Sequence, residues 1–162
     1  MLPHPSSYQA PTYNLELDTL KRLRTLLPQM PFNRLLGIKI TRRHRDGVTV
    51  EIPLRPDLMN FHGVLHGGVT ASLADVAVGM SLHNHFQGAR QITTVEMKLN
   101  YFLPVSGKKL RARCRLLKVG KTLCVGHVDL WNDERKLVAA AIVTYMVLPL
   151  PNTSDPPRKL RR

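Results

Sequence analysis

Between positions 69 and 82 the chain carries one ionisable side chain, Asp75. The rest of that run is apolar or small and favours a helix, and a helix apolar on nearly every face is normally buried. A carboxylate there is costly unless it is hydrogen-bonded or paired. On a helical wheel Val69, Leu73, Val76, Ala77 and Met80 share one arc, the expected core face, with Asp75 opposite beside Ala71, Ser72, Val78 and Gly79. These small neighbours leave room for a ligand or a second chain to approach the carboxylate. Alternatively, Asp75 is a carboxylate in the helix's first half, favoured by the dipole. Just upstream, Gly67 and Gly68 fall where the helix begins. The first turn of a helix leaves backbone N–H groups unpaired, and two glycines let a reacting carbonyl come close to them. A carboxylate two turns beyond a pair of free donors suits attack on a carbonyl carbon, by the carboxylate itself or by water that it deprotonates.

The elements that must position these groups can be read around them. Asn14 is a plausible N-cap for an amphipathic helix with Leu17, Leu20, Leu23 and Leu27 on one stripe and Pro28 at its end. Packing on the protein's own sheet is the expected role of that helix, rather than membrane binding. Residues 36–43 and 48–54 read as two strands around an Asp46-Gly47 turn. After the 69–82 helix, four strands are predicted at 92–102, 109–119, 121–131 and 136–148, with turns at Gly120 and Asn132-Asp133. The class is α+β, one domain over 14–148. Segments 1–13 and 149–162 read as flexible ends, the second Pro-rich and basic.

The run Asn60, Gly63-Val64-Leu65-His66-Gly67-Gly68 and Leu73-Ala74-Asp75 resembles the hot-dog-fold acyl-CoA thioesterases of the phenylacetate-degradation (PaaI-like) type. The likeness extends from Pro31-Phe32 through Val95-Glu96-Met97 and Gly120-Lys121-Thr122 to Val128-Asp129-Leu130. It implies a curled antiparallel sheet wrapped around one long buried helix. It also implies hydrolysis of an acyl-CoA to free acid and CoA without metal or cofactor, and a homodimer, often a dimer of dimers, whose subunits share each site. Asp75 takes the catalytic carboxylate's position. Asn60 orients water or the carbonyl, Gly67 and Gly68 supply the oxyanion amides, and Thr94, with Thr93 as its neighbour in contention, is an assisting hydroxyl. His66 shapes the turn ahead of the helix and is placed with the substrate-binding groups. For the CoA phosphates, Lys118, Gly120, Lys121 and Thr122 form a basic turn.

Other features narrow the field. A net charge of +13 attracts polyanions, CoA and nucleic acid among them, but no helix-turn-helix or RNP-like aromatic motif accompanies it, and no nucleic-acid partner is expected. Arg111, Arg113 and Arg115 alternate along one strand face, which is either a phosphate contact or a solvated face. Cys114 and Cys124 read as small buried residues. His62, His66, His83 and His85 match no zinc spacing. With neither a secretory signal nor a membrane-length apolar run in view, a cytoplasmic location is expected. Met59, Phe61, Met80, Leu82 and Phe86 are candidates for an apolar acyl pocket. The competing reading is a non-catalytic acyl-CoA-binding sensor or scaffold built on the same pocket.

Overall fold

The computed structural model describes residues 19–149. The proposed Asn14 cap, the segment 1–13 and nearly all of the basic tail lie outside them. Helix α1 (Thr19–Leu26) continues into a 3-10 turn, Leu27–Gln29, so Pro28 sits within that turn. Leu23, Leu26 and Leu27 are buried, which gives the helix a packing role. Arg24 Nε donates to Ile40 O at 3.1 Å, covering part of an exposed strand edge.

A short helix, α2 (Pro31–Leu36), occupies residues 31–35, which the sequence pattern leaves without an element, and takes Leu36 from the strand expected over 36–43. Pro31 at its first position suits a helix start. Gly37, at φ 71°, ends it in the left-handed conformation. Gly37 N–H donates to Arg34 O and Ile38 N–H to Asn33 O, both at 3.1 Å, the pattern of a Schellman cap.

Strands β1 (Lys39–His44) and β2 (Gly47–Pro53) form a hairpin whose two turn residues are Arg45 and Asp46, one position earlier than the Asp-Gly signal indicates. Helix α3 (Gly67–His85) follows, then β3 (Ile92–Tyr101), β4 (Lys109–Val119), β5 (Leu123–Trp131) and β6 (Leu137–Val147). The six strands make one antiparallel sheet in the order β1-β2-β4-β5-β6-β3. The sheet packs on α3 from β2 round to β3. This is the hot-dog arrangement that the resemblance implies.

Along α3 the buried residues include Leu73, Ala74, Ala77, Val78, Met80 and Leu82, set against Val48, Val50, Ile52, Leu110, Val128 and Leu130 of the sheet. Each fully buried leucine contributes roughly 1.5–3 kcal/mol. The wheel needs one correction: Val78 is in the core, whereas Val69 and Val76 are only half-buried. The sheet curls round more of the helix than a flat layer would. The more open face carries Gly68, Val69, Ser72, Asp75 and Val76. At the far end of α3, Arg22 Nη1 donates to Gln87 O at 2.6 Å and its Nη2 to His83 O at 3.4 Å, cation to helix C-terminus.

Candidate active site

Two hydroxyls converge on Asp75. Thr94 Oγ1 donates to Asp75 Oδ1 at 2.9 Å, and Tyr145 OH lies 2.8 Å from the same oxygen and 3.0 Å from the Asp75 carbonyl. Thr94 and Tyr145 face each other across the β3–β6 ladder, so one rung of the sheet delivers both donors to the helix. Oδ2 has no hydrogen-bond partner among the described residues and is the oxygen available to a ligand.

Thr94 reaches Asp75 because of a bulge. The β3–β6 register slips between Thr94 and Glu96, leaving Val95 unpaired and 51% exposed. Before the bulge the even positions pair with inward-facing residues of β6; after it Met97 and Leu99 take that phase. Thr93, the alternative from the sequence, pairs with exposed Met146 on the other phase, although it still borders the cavity described below.

Tyr145 is a site residue that the sequence pattern does not single out. It sits on a strand of alternating pattern, where a tyrosine reads as an ordinary β-former. The available signal was Gly79, four residues beyond the lone carboxylate: a Cβ there would lie 2.9 Å from the Tyr145 hydroxyl. Burial foremost, and then the Asp75 carboxylate, push the Tyr145 phenol far above its ordinary pKa, so it remains a proton donor.

A cavity of about 320 Å³ opens beside Asp75, with Thr94 and Tyr145 in its wall. Its apolar lining comes from Met30, Phe32, Val76, Met80 and Ile92. Of the apolar residues anticipated for a pocket, Met80 alone is there. Leu82 is in the core, Met59 bridges to Leu65, Phe86 packs edge-on against His85, and Phe61 projects outward at 92% exposure. The missed lining comes mainly from the α2 segment, whose position no local pattern encodes.

The remaining candidates lie elsewhere in the chain. Gly67 lines a second cavity, of about 290 Å³, with Tyr101, Phe102 and Leu103. Tyr101 OH donates to Gly67 O at 2.9 Å. Gly67 N–H has no partner among the described residues, whereas Gly68 N–H donates to His66 Nδ1 at 3.0 Å, making His66 the helix N-cap. Of the two glycines, Gly67 therefore has the available donor. Eight residues of helix, about 12 Å, separate Gly67 from Asp75. Asn60 Oδ1 accepts from the N–H groups of His62, 2.9 Å, and Val64, 3.3 Å, which shapes its own loop. Its Nδ2 has no hydrogen-bond partner among the described residues. Asn60 lines neither cavity.

Lys118, Lys121 and Thr122 are exposed around the β4–β5 turn, while Gly120 N–H is occupied by Leu123 O at 3.0 Å. Cys124, just past this turn, is in register with Tyr145, which is in register with Thr94. The turn thus stands at the Asp75 end of the sheet, with Cys124 two strand spacings, about 10 Å, from Thr94. The arginine ladder is a paired face. Arg111 meets Glu51 at 3.4 Å, Arg115 meets Asp129 at 2.6 Å, and Arg113 pairs with Asp46. Cys114 and Cys124 are buried and not disulfide-linked, and burial raises the Cys114 thiol to about 11. Among the described residues no three His, Cys, Asp or Glu side chains gather as a metal site, and no helix is long and apolar enough to cross a membrane.

Known proteins share this architecture. The model of the thioesterase superfamily matches residues 62–139. The medium/long-chain acyl-CoA thioesterase YigI of Escherichia coli K12 is 32% identical over 73% of this chain and 86% of its own. Acyl-coenzyme A thioesterase 13 of Homo sapiens is 35% identical over 67% of this chain and 79% of its own. Among solved structures, a thioesterase from Haemophilus influenzae superposes with a TM-score of 0.78 at 25% identity, over 86% of this chain and 97% of that one. A protein from Shewanella oneidensis related to the superfamily gives 0.71 at 30% identity, over 80% and 95%. With relatives above 30% identity across two thirds or more of its length, and a sheet and helix that superpose on solved structures of thioesterases, the chain belongs to the thioesterase superfamily.

Proposed function

We propose that this protein hydrolyses acyl-CoA thioesters to a free carboxylic acid and CoA, with Asp75 as the catalytic carboxylate. One observation carries the reading: Asp75 stands in the wall of an apolar cavity with one oxygen held by Thr94 and Tyr145 and the other without a partner among the described residues. A carboxylate so fixed presents Oδ2 in one orientation. It serves either to take a proton from water attacking the thioester carbon or to attack that carbon itself. By the first route the acyl carbon gains the water oxygen, the C–S bond breaks, and the proton held by Asp75 passes to the departing thiolate; by the second an acyl–aspartyl anhydride forms as the C–S bond breaks, and water then cleaves it, giving one proton to the thiolate and restoring the carboxylate. Developing charge on the carbonyl oxygen calls for a free N–H donor, the role proposed for Gly67 with Gly68 beside it, and the Asn60 amide orients water or the carbonyl. Lys118, Lys121 and Thr122 at the Asp75 end of the sheet suit the nucleotide phosphates, with Gly120 and His66 shaping the backbone around the ligand.

These groups do not meet within one chain, and that supports a shared site. Gly67 and Asp75 line separate cavities, and β3 is an edge strand with Val95 and Tyr101 exposed, as is Phe102 just past its end. A second copy set against that edge brings one chain's Gly67 and Asn60 toward the other's Asp75. A homodimer, in turn able to pair as a dimer of dimers, is the proposed working unit.

Thioester hydrolysis across an acyl-CoA panel, wild type beside Asp75→Asn, tests this. Loss of turnover with fold and acyl-CoA binding retained is the expected result. Equal rates would sink the mechanism, and binding without turnover by either protein would favour a sensor.

A further inference from the structure

The cavity at Asp75 runs along the C-terminal half of α3. Its helix wall is the stripe Asp75, Val76, Gly79, Met80 and His83, a spacing that follows one face. Met30 and Phe32, from the segment that includes α2, cover it. His83 is two turns beyond Asp75 and belongs to the described wall, yet the chemistry at Asp75 makes no use of it. Its Nδ1 is buried without a hydrogen-bond partner among the described residues. Burial foremost, and then the Arg22 charge, lower its pKa, so the imidazole stays neutral. Arg22 holds the backbone at this point through the carbonyls of His83 and Gln87.

We propose that His83 is the specificity-determining end wall of the acyl pocket, limiting the substrate to acyl chains of medium length. This inference rests on the reading of the Asp75 cavity as the acyl site of a CoA thioesterase. A chain starting at Asp75 and lying along α3 meets His83 after eight residues of rise, about 12 Å. An extended chain advances roughly 3.5 Å for every three bonds, as the polypeptide backbone does, so about ten bonds fill that run. Along it the lining is Val76, Met80 and Ile92, which suits an unbranched alkyl chain. Beyond it stand an imidazole on a clamped helix end and the Arg22 side chain.

The test is kcat/KM of the full-length protein over straight-chain substrates from butyryl-CoA to palmitoyl-CoA, for wild type, His83→Ala and His83→Trp, with circular dichroism as the check on folding. Removing the imidazole should move the preferred chain two or three carbons longer. Each methylene newly buried is worth up to about fourfold in kcat/KM, so the longer substrates gain about tenfold or more. His83→Trp should move the preference shorter. The opposite shifts mean that either variant alone decides the matter if the other fails to fold. Profiles that superimpose on an active wild type would overturn the role of His83 and leave the thioesterase reading standing. A wild type inactive on every chain length would overturn that reading first, and the end wall with it.

Discussion

The Tyr145 hydroxyl occupies space that any side chain on residue 79 would contest: a Cβ on Gly79 would sit 2.9 Å from the phenolic oxygen. Glycine in mid-helix is about 1 kcal/mol less favourable than alanine. Here it allows a buried phenol to cross from β6 to the helix and grip Asp75. Gly79→Ala should therefore separate stability from activity. Helix propensity gains about 1 kcal/mol while packing against Tyr145 loses a similar amount, so the melting temperature changes little. Turnover should fall about tenfold because the phenol is pushed off Asp75. A mutant at full speed would mean that Tyr145 is irrelevant to the carboxylate's work.

Tyr145→Phe and Thr94→Val remove the two donors to Asp75 Oδ1 one at a time. A hydrogen bond to a charged group is worth about 1.5–3 kcal/mol, or roughly ten- to a hundredfold in rate. Each variant should lose kcat within that span with KM nearly unchanged, since neither donor is proposed to touch the CoA moiety. The double mutant should lose less than the product of the two, because both donors act through one oxygen. Fully multiplicative losses would argue for independent roles.

At the β4–β5 turn, Lys121→Glu should raise KM about fivefold at low ionic strength with kcat unchanged, and Lys118→Glu should act in the same direction. That size follows from about 1 kcal/mol for an exposed ion pair. The effect should fade as salt is added, because screening at about 0.1 M reaches charges about 10 Å apart. An acyl-pantetheine substrate, which lacks the nucleotide phosphates, should not distinguish the variant from wild type. A difference that persists with the truncated substrate would move the phosphate site elsewhere.

His83 also predicts how stability responds to acid. Its folded-state pKa lies below the ordinary value of 6.5, with burial as the main cause. Protonation therefore favours the unfolded chain. The contribution of neutral His83 is complete above 6.5 and is lost as pH falls from there through the lower folded-state pKa. Melting temperatures measured down this range should decline, and His83→Phe, which cannot protonate, should show a shallower slope. Parallel slopes would assign the acid sensitivity to other groups.

The legible parts of this chain were those with a long pattern behind them. Fourteen residues of apolar or small character, broken by one charge, announce α3, which runs on to His85, and the pattern over β4, β5 and β6 sets those strands to within two residues or so. Helix α2 has six residues, fewer than two turns, too short for periodicity to register, and its signals are a proline and a capping glycine. Asp75 was conspicuous because a charge in an apolar run is unusual. Tyr145 was not, because its partner lies 70 positions away and its meaning arises only when β6 folds over the helix. The same holds for Met30 and Phe32, which become pocket lining through tertiary packing alone.

The bulge in β3 divides that strand into two stretches of opposite parity, with Val95 as the joint. Deleting Val95 would leave Ile92 and Thr94 on one side, and Met97 and Leu99 on the other, still pointing the same way, because the spare residue alone is removed. Inserting or deleting a residue anywhere else in the strand would turn part of it inside out. Position 95 is thus where this strand can change length without altering what it presents to Asp75, a natural place for chains of this architecture to differ by one residue while keeping the same site.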